Sequence, residues 1–507
     1  MPDPVEKIVI VGGGTAGWLT AAIVAAHHQS KQPGGLQVTL VESSDIPTIG
    51  VGEGTWPTLK NTMQQIGIKE SEFFNSCHAA FKQGGKFVDW VHGNGDFYYH
   101  PFTVPLGYGR LDLAPYIEDI ANYAPDANFQ HHVCEAGLAP RTMAESEFKG
   151  PCNYAYHLDA GAFADLLKRH CKANLGVEHI VDTVQEVKLA ADGGIGSVVL
   201  AGRGALTADL YVDCTGFASL LLGDKLAVPF VNTDDVLFND TALAMQVPYA
   251  TDDSPLACNT IATGQRAGWI WDIGLTHRRG VGYVYSSDYI SDDEAESDLR
   301  RYLGAAAEGL NARKIRFSSG HRAQYWKKNC VAVGLAAGFV EPLEATAIML
   351  VEISARYIAE NLPPDNGVMP ITAKRFNAQM EYRWRRIIDF LKLHYMLSQR
   401  PEPYWRAHRR EETIPESLRE DLALWAHRGP TREDFDSAVE LFPAASYQYV
   451  IYGMGFKPDF TRQTYLYRRQ QEAEKIIQRN RQLTEQMLQT LPPHREYIEQ
   501  WLATANK

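Results

Sequence analysis

The residues with the clearest chemical consequence are Gly12-Gly13-Gly14-Thr15-Ala16-Gly17, set between the apolar run Ile8-Val9-Ile10-Val11 and the stretch Trp18 to His28. Their spacing is G-x-G-x-x-G. Glycines there permit a tight turn and let backbone N–H groups approach a pyrophosphate, which the positive end of the following helix favours. Glu42 ends the next apolar run, Val38 to Val41, where a carboxylate can accept a hydrogen bond from a ribose hydroxyl. It lies further from the glycines than the common ~20 residues, so a long connection over Gln29 to Leu36 is expected. A second constellation lies far downstream. Trp269-Ile270-Trp271-Asp272-Ile273 places two indoles at i and i+2 of a β-rich segment, on one face of one strand. Two indoles side by side form a wall. It can be plain core packing, or a partition between a reactive cofactor and an organic substrate.

These groups need a scaffold. Strand, glycine turn, helix and strand in that order make a βαβ unit. A later apolar strand, Asp209 to Asp213, runs into Cys214-Thr215-Gly216. It resembles the strand that returns beneath the dinucleotide in flavoprotein hydroxylase-like folds, with Gly216 allowing close approach. No second G-x-G-x-x-G is present for a nicotinamide cofactor, which favours FAD. A helix is expected over Ala162 to Asn174, and strands near His179 to Leu189, Ser197 to Leu200 and through Thr241 to Ser287. From Pro342 onward the pattern is helical, broken by proline clusters. The expected fold class is α/β, an FAD-binding flavoprotein-monooxygenase-like fold: a Rossmann-type βαβ unit, a mixed sheet and a mostly helical C-terminal region. Residues 1–350 would form the flavin-binding and catalytic region, with substrate-facing insertions near 73–150 and 225–320, and residues 351–507 a helical cap over the substrate.

Bulk properties narrow the partners. The chain has 507 residues, 45% hydrophobic and 22% charged, an ordinary balance for a soluble globular protein. A net charge of −12 argues against nucleic acid or an anionic membrane as main partner. The seven cysteines are scattered singly without metal-ligand spacing, so reduced thiols and no metal are expected. The early start of the first strand reads as folded protein rather than a signal peptide, and a cytoplasmic location is expected.

Further segments carry a specific resemblance. The Trp269 run resembles the W-x-W-x-I-P signature of flavin-dependent halogenases. Gly12 to Trp18 reads GGGTAGW, and Val51-Gly52-Glu53-Gly54-Thr55 resembles the family's flavin-lining G-E-[AG]-T segment. Ala79-Ala80-Phe81-Lys82, with Lys86-Phe87 and Trp90 after it, resembles the stretch bearing the family's active-site lysine. Asn329 to Thr346, with Gly334-Leu335 and Glu341-Pro342-Leu343-Glu344, resembles the segment holding its glutamate and halide site. In family order over roughly residues 7 to 350, these matches make the chain similar to tryptophan-halogenase-like enzymes.

The resemblance implies a reaction. Reduced FAD, delivered by a separate NAD(P)H-dependent reductase, would use O₂ and chloride or bromide to form hypohalous acid. Lys82 would activate it, with Lys86 as the fallback. Glu344 would take the proton lost by the aromatic substrate, an indole-type compound, whereas Glu341 reads as an ordinary first-turn acid. Thr346 and Ala347 match the halide site, with Pro342 suited to the first turn of a helix. Trp269 and Trp271 become the barrier, and His100 and Phe102 resemble a segment that stacks on substrate. Without the resemblance, Lys82 reads as a snorkelling lysine and Glu344 as an acid complementing a helix dipole.

The pattern also departs from the family. Gly274 stands where the signature has proline, which would loosen the strand end, and Ala345 stands where many members have serine. Tyr447, Tyr449, Tyr452 and Phe456 are candidates to grip an amino acid moiety, although helical spacing favours core positions. A single-component FAD hydroxylase and a non-catalytic flavin-binding protein are the competing readings. A monomer and a homodimer fit the sequence equally.

Overall fold

In the computed structural model, residues 3–44 and 52–505 are described. Val51 lies outside them. The chain divides into two compact units, each assembled from three segments. The first comprises residues 1–79, 158–233 and 318–384, and the second residues 80–157, 234–317 and 385–507.

The first unit is built on a six-stranded sheet in the order Trp326–Lys327, Cys330–Ala332, Leu210–Asp213, Lys7–Val11, Gln37–Glu42, Glu178–Val181. All neighbours run parallel except the first pair. The central strand KIVIV is apolar nearly throughout, as a strand buried on both faces requires. Val11 pairs with Asp213 on one side and Val41 on the other, so the strand ends carrying Gly12, Cys214 and Glu42 fall together at one edge. The helices Thr15–His27 and Thr346–Glu360 pack on each other. The second helix is buried along Ile348, Leu350, Val351, Ala355 and Ile358.

The second unit holds a seven-stranded sheet in the order Arg313–Arg316, Thr241–Pro248, Arg278–Tyr285, Gly268–Gly274, Thr260–Gln265, Gly84–Val88, Phe97–Pro101. Only the Thr260–Gln265 and Gly84–Val88 pair is parallel. The strand Gly268–Gly274 is buried at every residue. A short ribbon pairs Ala80–Lys82 antiparallel with the strand from Ala155, placing Lys82 opposite Ala155 and Phe81 opposite Tyr156. Helices occupy most of the chain beyond residue 400. The α/β class with mixed sheets and a helical C-terminal region is therefore as expected. All seven cysteines are buried free thiols. Among the described residues no helix is long and apolar enough to cross a membrane.

Candidate active site

The glycine turn is shaped by close approach. Gly12 has φ +118°, and a methyl group on it would lie 2.1 Å from the Cys214 carbonyl oxygen. Only glycine tolerates both conditions. A methyl on Gly17 would meet the Gly12 carbonyl at 1.9 Å, and one on Gly13 would meet Glu42 Oε2 at 1.8 Å. Gly334 approaches the same turn, its added methyl falling 2.7 Å from Ala16 Cβ, which brings Gly334-Leu335 beside the first helix. By contrast, methyls on Gly14 and Gly216 would meet no atom within 4 Å. The Thr15–His27 helix also begins with no side-chain cap and no first-turn acid. Open space above free N–H groups suits an anionic pyrophosphate, so the residues present fit a flavin dinucleotide. Thr15 Oγ1 donates to the Ala160 carbonyl at 3.4 Å.

Glu42 is already engaged. Its Oε1 takes the Lys168 ammonium and lies 2.8 Å from His179 Nε2, while Trp18 Nε1 donates to Oε2 at 3.4 Å. Burial raises its carboxyl, but the Lys168 hydrogen bond and charge outweigh that, and the net shift is downward. Glu42 is thus an ionised carboxylate at the strand end, as expected. In the Gly52–Gly54 strand Glu53 behaves oppositely. Burial, with the Asp159 carboxylate nearby, pushes it up to about 7.

The helix opening expected at Pro342 is not there. Neither Glu344 nor Glu341 lies in a helix's first turn, and Pro342 does not open the helix. Ala345 N–H donates to the Pro342 carbonyl at 3.0 Å, closing a turn, and Ala345 takes left-handed angles of φ 54° and ψ 44°. Helical geometry cannot run through such a residue, so the helix starts at Thr346. The consequence favours an anion all the more. That helix has no side-chain cap and no first-turn acid, leaving the N–H groups at Thr346 and Ala347 at its positive end. Glu344 is 7% exposed, and its backbone carbonyl accepts the indole N–H of Trp56. Sequence reasoning missed Trp56. Its position directly after the Gly52–Thr55 segment was the one available signal.

In the second unit Lys82 is 4% exposed, far from a snorkelling surface lysine. Its Nζ lies 5.3 Å from the centroid of the Phe102 ring, so the structure brings these two residues together. His157, two residues past Ala155 on the paired strand, hydrogen-bonds Thr260 Oγ1 at 2.8 Å. Burial first, and then the Lys82 charge, hold its pKa well below the ordinary value, so it is neutral. The fallback lysine is committed elsewhere: Lys86 pairs with Glu135 at 2.5 Å and covers Phe97. His100 is buried, its ring 5.7 Å from Phe390 and 6.3 Å from Tyr449, an aromatic packing position.

Trp269 and Trp271 share a face, ring centroids 6.4 Å apart. Trp269 is fully enclosed and lies 6.3 Å from Trp90, which also contacts Tyr395 and Trp405. Trp271 lies across the neighbouring strand at Gly282. Gly274 does not loosen its strand. It stays paired with Arg279, and a methyl there would meet Leu256 at 2.8 Å and the Tyr249 hydroxyl at 3.2 Å, so neighbours fill the space of a side chain. Tyr447, Tyr449 and Tyr452 are core residues of the helix Ala444–Gly453, with the Tyr447 hydroxyl accepting from Arg386 and Tyr449 donating to the Thr103 carbonyl. Phe456 is half-buried beyond that helix.

Comparison with known proteins bears on these arrangements. The profile described as tryptophan halogenase matches residues 7–469. A crystal structure of a tryptophan halogenase from Shewanella frigidimarina NCIMB 400 superposes with TM-score 0.94 at 44% identity, covering 99% of this chain and 98% of that one. BrvH, a flavin-dependent halogenase from Brevundimonas sp. BAL3, superposes with TM-score 0.86 at 32% identity, covering 98% and 99%. The 7-chloro-L-tryptophan 6-halogenase KtzR of Kutzneria sp. (strain 744) is 36% identical over 97% of this chain and 98% of its own. With a profile spanning most of the sequence and relatives aligned nearly end to end, the chain belongs to the tryptophan halogenase family of flavin-dependent enzymes.

Proposed function

We propose that this halogenase transfers chloride or bromide, as hypohalous acid, to an electron-rich aromatic of indole type, using Lys82 and Glu344 for successive steps. Flavin, when bound and reduced, supplies with O₂ the oxidising power that turns halide into hypohalous acid. The chain's part is placement and proton handling. Gly12, Gly14, Ala16, Gly17, Glu42, Gly52, Glu53, Gly216, Gly334 and Leu335 hold the cofactor, and the N–H groups of Thr346 and Ala347 hold the halide. Trp269 and Trp271 keep the aromatic away from the cofactor.

Lys82 Nζ donates a hydrogen bond to the oxygen of hypohalous acid, drawing electron density from the O–halogen bond as the ring carbon attacks the halogen. The Glu344 carboxylate stabilises the cation so formed and removes the ring proton, restoring aromaticity. His100 and Phe102 border the substrate. A separate NAD(P)H-dependent reductase delivers the reduced flavin.

The observation that supports this most is the burial of Lys82 against Phe102, since an ammonium is kept out of water at a cost that surface packing does not require. The test supplies FAD, a flavin reductase, NADH and either halide. Indole, L-tryptophan and phenols are screened for halogen isotope patterns by mass spectrometry. Halogenated product that vanishes in Lys82→Ala, with O₂ consumption retained, is the expected result. Hydroxylated product alone across the panel would reject the reading.

A further inference from the structure

Lys82 sits on a strand of only three residues, Ala80–Lys82, too short to fix a side chain by its own pairing. What holds it comes from the other end of the chain. The Phe81 N–H donates to Nε2 of His494 at 3.2 Å, and His494 opens the last helix, His494–Ala505. Because Nε2 accepts, Nδ1 carries the proton and donates to the Leu256 carbonyl at 3.1 Å. The imidazole is therefore a neutral bridge with one tautomer. Its own backbone is fixed as well: His494 N–H donates to the Gly137 carbonyl at 3.0 Å, and Arg495 Nε to that of Ser254 at 2.6 Å.

The Phe81 ring is gripped by the same helix. It lies 5.9 Å from Tyr497 and 6.3 Å from Trp501, with Tyr154 edge-on at 4.9 Å. Arg141 braces this cluster, its guanidinium 4.5 Å from the Trp501 ring and its Nε donating to the Tyr497 hydroxyl at 2.7 Å. On the far side of Lys82, Gln83 N–H donates to the Cys258 carbonyl at 2.7 Å, and Gln83 Nε2 to that of Leu138 at 2.7 Å. Successive strand residues face opposite ways, so clamping Phe81 on one face fixes where Lys82 points on the other.

We propose that His494 is a positioning residue for halogenation: the C-terminal helix, through the His494–Phe81 hydrogen bond, sets the direction of Lys82. This rests on the role proposed above for Lys82. Displacing a reacting group by even ~1 Å costs rate without removing the group.

The test uses full-length H494L, H494Q and K82A with FAD, reductase, NADH, bromide, and whichever of indole and L-tryptophan the parent turns over. H494L is expected to lower kcat for halogenated product about tenfold, with KM for the aromatic and O₂ consumption nearly unchanged. H494Q keeps an acceptor for the Phe81 N–H and is expected to recover to within about threefold of the parent. Equal losses in H494L and H494Q, or parental yield from H494L while K82A is inactive, overturn the positioning role alone. Halogenation by K82A overturns the reading of Lys82 instead. NMR of the ¹³C-histidine-labelled parent needs no variant to fold. A neutral Nδ1–H tautomer of His494 at neutral pH is expected, and an Nε2–H tautomer or an imidazolium would refute the bridge.

Discussion

The indole N–H of Trp56 donates to the backbone carbonyl of Glu344 at 2.8 Å, joining residues 288 positions apart in the chain. That carbonyl belongs to the turn in which Ala345 is held left-handed, just before the Thr346 helix. A left-handed alanine costs of order 1 kcal/mol and persists only where surroundings impose it. Trp56 is such a surrounding. Trp56→Phe keeps an aromatic ring and removes this donor, losing a hydrogen bond worth about 0.5–1.5 kcal/mol. Relaxation of the turn would move Glu344 and the first N–H groups of the helix together. The expected outcome is a fall of roughly tenfold in product formation with FAD affinity unchanged. Steady-state halogenation and a flavin titration check it.

Two carboxyls of the first unit store a pH dependence. Glu352 is 2% exposed in the Thr346–Glu360 helix, accepting from Thr58 Oγ1 at 3.0 Å and Thr62 Oγ1 at 2.5 Å. Burial pushes it up to about 7 from an ordinary 4.5, against the opposing pull of the two threonines and Arg356. Glu53 is likewise raised to about 7. Between 4.5 and about 7 the folded state binds more protons than the unfolded chain, so stability falls as pH rises through that window. Glu352→Gln removes its share, up to about 3 kcal/mol. Its melting temperature is expected to match the parent in acid and exceed it at pH above about 7, in a pH series of thermal unfolding. A variant curve parallel to the parent's would contradict this.

The local signals were legible because local physics sets them. Lys7–Val11, the glycine turn and Glu42 follow from an apolar strand, a clash at Gly12 that only glycine avoids, and a polar strand end. The start of the Thr346 helix was misread from Pro342. A proline flanked by acids imitates a helix opening, and the Ala345 N–H bond to the Pro342 carbonyl that stops it cannot be seen in residue types. Trp56 and His494 are hard to find for a related reason: their side chains hydrogen-bond backbone atoms far away in sequence, which no periodicity marks, and only the neighbouring Gly52–Thr55 segment points to Trp56. The interleaving of three segments into each unit has the same cause, since long-range pairing such as Thr260 with Gly85 leaves no local trace.

Gly13 and Gly14 adjoin in sequence but differ in what surrounds them. A methyl on Gly13 would overlap Glu42 Oε2 at 1.8 Å, whereas one on Gly14 meets nothing within 4 Å. Gly13→Ala is therefore expected to push Glu42 from Lys168 and His179, lowering both the melting temperature and FAD affinity. Gly14→Ala is expected to leave the melting temperature of flavin-free protein unchanged while weakening FAD binding at least about tenfold, if its methyl enters the open space proposed for the pyrophosphate. Thermal unfolding and fluorescence titration with FAD separate the two. Equal FAD affinity in Gly14→Ala and the parent would place the pyrophosphate elsewhere.

Gly282 tests the partition assigned to the tryptophans without touching either one. It lies opposite Trp271 on the neighbouring strand, and a methyl there would sit 2.1 Å from the six-membered ring of that indole and 2.5 Å from the Leu243 carbonyl. Relief needs the indole to move and, at the Leu243 carbonyl, a local shift of the paired strands as well. Trp269 is enclosed and would stay. Gly282→Ala thus opens one side of the wall while keeping every aromatic in the sequence. If the pair separates cofactor from substrate, the variant should raise the share of hydroxylated over halogenated product and lower product formed per O₂ consumed. Lost stability alone would lower both products in proportion. An unchanged ratio in a folded variant would leave Trp271 as core packing, the alternative that its spacing alone always allowed.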